Sequence, residues 1–318
     1  MFLADKHEEH KNLRYLSGSM KTNDGKYKVR GTLRFNESMA KHTTWRAGGV
    51  ADEYFEPADL DDLCHFLADL DPGRLLLWVG LGSNLLVRDG GFRGTVIAYS
   101  RGLDNIQVSA DGIVTAQAGV PCAKVARLTA SHGLTGAEFL VGIPGSMGGA
   151  MAMNAGAFGS ETWNIVTGAG TVDRAGNIKN CPPDTFRIGY RSVQLPAEQW
   201  FVSATLKLQP DHDKHAEKLI KELLAKRAAT QPMGQSSCGS VFQNPPNGFA
   251  AKLIDQCGLK GERIGNAAIS EKHANFIINL GKATAGDIEA LIEYARKVVS
   301  DKCNVNLIPE VKIVGEHA

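Results

Sequence analysis

The sequence predicts an α+β protein in which two N-terminal subdomains precede a C-terminal α+β domain, and three observations predict it. Two glycine-rich stretches, 80–87 and 142–159, stand about sixty residues apart. From 95 to 208 the pattern is largely that of β-strands, with one helical interruption. Past Gln209 and Pro210 the chain changes to amphipathic helices with short β runs. The resulting divisions are an arm over 1–33, a first subdomain over 34–100, a second over 101–209 and a C-terminal domain over 210–318. A chain of 318 residues, 43% hydrophobic and 22% charged, is long enough and apolar enough to give each of these a core.

The net charge of +1 gives no electrostatic reason to expect a nucleic acid or a membrane surface as partner. No apolar run approaches membrane-spanning length, and the polar first thirty residues lack the apolar region of a signal peptide. A cytoplasmic monomer acting on a small molecule is the expectation. Cys64, Cys122, Cys181, Cys238, Cys257 and Cys303 show no CxxC spacing, so free thiols in a reducing compartment are expected and a metal site is not.

The arm has little periodicity, and its start is expected to be poorly ordered. Residues 57–70 place Leu60, Leu63, Cys64, Leu67 and Leu70 at helical spacing, with Asp59, Asp61 and Asp62 at the favourable N-terminal end. The apolar run 75–79 reads as a buried strand on which this helix packs, and it leads directly into Gly80, Leu81, Gly82, Ser83, Asn84 and Leu85. The third glycine of a dinucleotide fingerprint is Leu85 here. Residues 88–94 are turn-formers before another strand at 95–99, with no helix to meet a phosphate. A Rossmann unit and a P-loop are therefore both disfavoured.

In the second subdomain, strands are expected near 112–116, 166–172 and 201–208, and a helix over 122–131 ending at Gly133. The stretch 142–159 holds six glycines and no acidic side chain. Backbone without bulky substituents can aim successive N–H groups at an anion such as a pyrophosphate, although a close-packed buried turn has the same composition. Neither glycine loop is expected to open a helix. Together they suggest a long cofactor spanned by backbone amides from two subdomains.

The C-terminal domain begins with a helix over 215–229, closed by Pro232, and continues with one over 249–257. Thr284 and Asp287 form a capping-box pattern for a helix presenting Ile288, Leu291, Ile292, Ala295, Val298 and Val299. Short β runs at 275–280 and 311–314 complete this domain.

Three signatures lie outside the glycine loops: Gly189, Tyr190, Arg191 and Ser192; the run 238–245 around Gly239 and Ser240; and Pro309, Glu310 and Val311. Singly, each is as compatible with a surface cation, a turn hydroxyl or a solvated carboxylate as with a site. Together with 46–49, 80–87, 142–159 and 272–276, and in this order, they resemble the UDP-N-acetylenolpyruvoylglucosamine reductase (MurB) family from about residue 33 onward. The resemblance implies a flavin-binding fold of the vanillyl-alcohol-oxidase (PCMH-like) type, noncovalent FAD between the two N-terminal subdomains and NADPH as reductant. It also implies an enolpyruvyl UDP-sugar under the C-terminal domain. By position it implies catalytic Arg191, Ser240 and Glu310, and cofactor contacts from Arg46, Gly80, Gly82, Ser83, Asn84, Leu85, Gly142, Gly145, Ser146, Gly149, Asn154, Ala155 and Gly156. Gln231, Asn244 and His273 are the implied substrate contacts.

One class of these reductases carries a tyrosine on a long insert before the C-terminal domain. Here only 209–213 separate Leu208 from the next helix, so the resemblance is to the shorter class. The alternatives are another FAD-dependent oxidoreductase on the same scaffold, or a non-catalytic flavin- or nucleotide-sugar-binding protein. The second should have lost the arginine, serine or glutamate, and all three are present.

Overall fold

The computed structural model describes residues 21–23, 27–109 and 111–318. Helix α1 (Leu60–Asp69) starts where the side chain of Asp59 accepts the N–H of Asp62, and it buries Leu63, Phe66 and Leu67. It forms the crossover between Val50–Glu56 and Leu76–Val79, two strands that run parallel to Phe92–Ala98 on either side of it. Thr32–Ser38 adds antiparallel at the outer edge of Val50–Glu56. Tyr27 and Val29 are buried against the same core, and the Asp62 carboxylate accepts the N–H groups of Arg30 and Gly31 at 2.7 and 2.8 Å. The end of the expected arm is thus built into the first lobe, while 1–20 and 24–26 lie outside the described residues.

The second lobe is a five-stranded antiparallel sheet in the order Ile178–Cys181, Val166–Asp173, Gln199–Lys207, Ile113–Gln117 and Ile106–Val108. Helix α2 (Cys122–Ser131) covers it with Val125, Ala126 and Ala130. The second glycine stretch departs from expectation, because it opens helix α3 (Met147–Met153). Two glycines in seven residues hide this helix from propensity, and tertiary contact supplies what propensity lacks. The N–H groups of Met147 and Gly148 donate to Val120 and Ala118 carbonyls at 2.9 and 2.8 Å. A Cβ on Gly148 would stand 2.7 Å from that of Ala118, so only glycine lets the helix come this close.

Helix α4 (Ala216–Thr230) follows Pro210 in sequence, yet Ala216 and Ile220 belong to the second lobe's core, so packing places this helix with the residues before it. The remaining domain packs α5 (Ala250–Gln256) and α6 (Ala285–Cys303) on a three-stranded sheet of Arg263–Ile264, Ala267–Ile269 and Ile277–Asn279. Both halves of the capping box at Thr284 and Asp287 are formed. Asp89 of the first lobe also reaches this helix, accepting the N–H groups of Ala285 and Gly286 at 2.9 and 2.8 Å, where a carboxylate favours the helix dipole. Arg88 pairs with Glu289 at 2.8 Å.

The β run near 311–314, expected as part of the C-terminal domain, does not pair with that domain's three-stranded sheet. Lys312–Val314 instead pairs in parallel with Leu85–Val87, the strand that leaves the first glycine loop. This pairing joins the last strand to the loop and brings Glu310 to it. Trp45 ties the same two parts together: it is fully buried in the C-terminal core and donates Nε1–H to the Ile277 carbonyl at 2.7 Å. Among the described residues no helix is long and apolar enough to cross a membrane.

Candidate active site

A single cavity of about 670 Å³ is walled by both glycine stretches, by aromatic residues of the two sheets and by the C-terminal domain. Gly82, at φ 62°, accepts Thr44 N–H through its carbonyl at 3.1 Å; a Cβ there would collide with the His42 carbonyl. The N–H groups of Gly82, Ser83 and Asn84 donate to no protein acceptor among the described residues. Across the cavity, Gly142, Gly145, Ser146, Gly149, Ala155 and Gly156 form the facing wall.

These features fit a flavin dinucleotide. A Cβ at Gly145 or Gly149 would meet the protein only at ordinary contact distance, 3.4 Å from Ser83 Oγ and 3.9 Å from Ser146 Oγ, so packing does not require glycine at either; both line the cavity, where a side chain would take ligand space. Trp78 Nε1 is buried and meets no partner of hydrogen-bond geometry among the described residues, which is costly unless a ligand satisfies it. Trp78 stacks on Trp200 with centroids 5.1 Å apart, giving the cavity an aromatic flank. Tyr99 lies beside Ser146, and burial pushes its hydroxyl up to about 12, so it remains a proton-bearing donor.

Arg191, Ser240 and Glu310 all line this cavity. Arg191 has φ 51°, and its guanidinium donates to the carbonyls of Asn154 and Gly156 at 3.2 and 3.1 Å. Its Nε stands 3.4 Å from Glu310 Oε2, within ion-pair reach but without hydrogen-bond alignment, which leaves that N–H for another acceptor. Burial pushes the Glu310 carboxyl up and Arg191 opposes this, so the net displacement is toward the protonated form. Glu310 is fixed by its backbone: its N–H donates to Val241 O at 2.7 Å, and its carbonyl accepts Asn84 Nδ2 at 3.0 Å. The hydroxyl of Ser240 makes no hydrogen bond to any described residue.

Gln231 and Asn244 also face the cavity, but three expected contacts lie elsewhere. Arg46 is exposed outside the cavity wall; at φ 55° it follows Trp45, which is buried in the C-terminal core. Asn154 is buried behind the wall, where it bonds Glu161, Gly189 and Trp163 and offers its carbonyl to Arg191, so it orients the arginine. His273 is not on the wall either. Its Nδ1 accepts the Asn275 N–H at 3.3 Å, and burial holds its pKa down.

Sequence reasoning missed Trp78, Tyr99, Trp200 and Arg227 as cavity residues. The first three sit in or beside strands whose apolar pattern indicates core, and nothing local distinguishes a residue facing a cleft. Arg227, near the end of α4, donates to Val141 O at 3.1 Å and Gln231 Oε1 at 3.0 Å. No carboxylate among the described residues pairs with it, and burial lowers its pKa.

A cleft with unpaired amides on one side, glycine-opened space on the other and an arginine–carboxyl–hydroxyl set at its mouth defines a flavin-dependent oxidoreductase of a polar, anionic substrate. Comparison with known proteins agrees. Residues 51–182 match the FAD binding domain family and 231–314 match the C-terminal domain of UDP-N-acetylenolpyruvoylglucosamine reductase. The reductases of Methylococcus capsulatus and Alkalilimnicola ehrlichii are each 54% identical over 90% of this chain, covering 94% and 96% of their own lengths. The crystal structure of the Thermus caldophilus reductase (MurB) superposes with a TM-score of 0.76 at 30% identity, covering 90% of this chain and 99% of that one. The chain belongs to the UDP-N-acetylenolpyruvoylglucosamine reductase family.

Proposed function

We infer that this chain reduces the enolpyruvyl group of UDP-N-acetylglucosamine enolpyruvate to the lactyl ether of UDP-N-acetylmuramate, a peptidoglycan precursor, with electrons from NADPH. The observation that carries this reading is the convergence of Arg191, Ser240 and Glu310 on one cavity whose other walls are the two glycine stretches. FAD held there would supply the hydride chemistry that links NADPH to the β-carbon of the enolpyruvyl group.

Hydride addition at the β-carbon drives negative charge onto the substrate carboxylate. Arg191 offers a planar cationic donor already held by two carbonyls, so it need not reorganise as that charge develops. A protonated Glu310 beside it does not repel the same carboxylate and can donate to it. Ser240 then gives its proton to the α-carbon. A hydroxyl is a weak acid, but an enolate is a strong base, and Ser240 has no protein acceptor among the described residues competing for that proton. Arg227 brings an unneutralised cation to the cavity, suited to the substrate's diphosphate. In the same reading the chain works as a cytoplasmic monomer.

The test is a pair of anaerobic half-reactions. NADPH should bleach the flavin band of the purified protein, and the enolpyruvyl sugar should restore it rapidly. A reduced protein that the sugar leaves bleached and that air reoxidises quickly would assign another acceptor.

A further inference from the structure

Ser240 has no side-chain partner among the described residues to hold it, so its placement depends on the backbone around it. Upstream, the buried Cys238 lies against the first glycine loop: its Sγ accepts Leu85 N–H at 3.2 Å and sits 3.6 Å from the Gly82 carbonyl. Downstream, Val241 and Phe242 are gripped from two sides. Glu310 N–H donates to Val241 O at 2.7 Å and Gln243 N–H donates to Ile308 O at 2.9 Å, which fixes the glutamate strand on one edge.

The other edge belongs to Asn275, which is 3% exposed. Its backbone carbonyl accepts Val241 N–H at 2.9 Å. Its side chain then takes the place of a neighbouring strand: Oδ1 accepts Phe242 N–H at 2.9 Å while Nδ2 donates to Phe242 O at 2.8 Å. A planar amide is the group that supplies one acceptor and one donor at this spacing. A carboxylate at the same place has no donor, and alanine has neither.

Building on the proposed reduction, we propose that Asn275 is a positioning residue for the second half-reaction, fixing Ser240 relative to Glu310 by clamping Phe242. Asn275 lines the same cavity, but both polar atoms of its side chain are taken up by Phe242, so it acts through Ser240. A residue that merely fills the core would affect both half-reactions alike. A residue that places the proton donor affects only the one in which the proton is given.

The test uses the full-length, FAD-loaded protein as wild type, Asn275→Asp, Asn275→Ala, Ser240→Ala and the two double variants. Anaerobic rates of reduction by NADPH and of reoxidation by the enolpyruvyl sugar are measured separately. Asn275→Asp should slow reoxidation by about 100-fold, the scale of a donor misplaced by an ångström, and leave reduction by NADPH within about twofold. In the Ser240→Ala background the same change should slow reoxidation by less than about threefold, because the group it positions is gone. Equal slowing of both half-reactions would overturn the inference, as would a multiplicative loss in the double variants. Loss of flavin from both the aspartate and alanine proteins would assign Asn275 a structural role alone. A wild-type protein reduced by NADPH but not reoxidised by the sugar would instead overturn the functional reading, and this inference with it.

Discussion

Replacing Arg191 by lysine keeps the charge and removes the fork. Three contacts depend on that fork: Nη1 to Asn154 O at 3.2 Å, Nη2 to Gly156 O at 3.1 Å, and Nε at 3.4 Å from Glu310. They radiate from one plane, so a single ammonium cannot meet both carbonyls and remain beside the carboxyl. Hydrogen bonds from a charged donor contribute roughly 1.5–3 kcal/mol each, and a lysine that recovers one of the two would lower stability by about 2 kcal/mol. The catalytic loss should be larger and confined to one half-reaction. Removing a preorganised donor from developing negative charge costs ~3–4 kcal/mol, or roughly 10²–10³ in the rate of flavin reoxidation by the sugar. Anaerobic stopped-flow absorbance on Arg191→Lys measures this directly, and thermal unfolding of the same sample gives the stability term. Reoxidation within about fivefold of wild type, in a protein with full flavin content, would show that charge alone suffices and would refute the need for the planar fork.

Ser240→Ala should slow sugar-driven reoxidation by about 10²–10⁴ while leaving reduction by NADPH unchanged, as expected for a general acid used once. Because the Ser240 hydroxyl holds no partner among the described residues, the variant's melting temperature should match wild type. For Glu310, burial sets the folded pKa above the unfolded one, so across that window the native state holds a proton the unfolded chain has released. Stability therefore falls as pH rises from the ordinary carboxylate range through the folded pKa, and Glu310→Gln should remove this fall; urea titrations across pH, wild type against variant, measure it. Gly145→Val would place its side chain on the cavity wall facing Ser83, where its Cβ meets Ser83 Oγ and Ile143 only at ordinary contact distance, so the apoprotein should fold while flavin absorbance after purification is lost. Retention of stoichiometric FAD in that variant would place the cofactor elsewhere.

Several elements were legible because their cause is local. Thr284 and Asp287 close a capping box within one turn, and Asp59 caps α1 through Asp62, so both helix starts follow from residues three apart. The two glycine stretches announced a close backbone approach. The triad could be named from Tyr190–Ser192, Gly239–Ser240 and Pro309–Glu310 only because the motifs occur together and in family order. Where the cause is remote, the sequence was silent. Helix α3 contradicts the propensity of its own glycines and exists because Ala118 and Val120 accept its first N–H groups. Asn154 and His273 carry side chains as suitable for a ligand as for the protein, and only packing turns them inward to Trp163 and Asn275.

By itself the sequence determined the family, the two glycine cradles, the helices with local caps and the identities of the arginine, hydroxyl and carboxyl. The tertiary structure alone decided how these parts meet. It paired Lys312–Val314 with Leu85–Val87, set Trp45 into a core more than two hundred residues away, and put Glu310 between Asn84 and Val241. Caps, periodicity and glycine content are set by neighbours within a few residues. A strand's partner, and the face on which a side chain emerges, are chosen by the burial that the whole chain achieves at once.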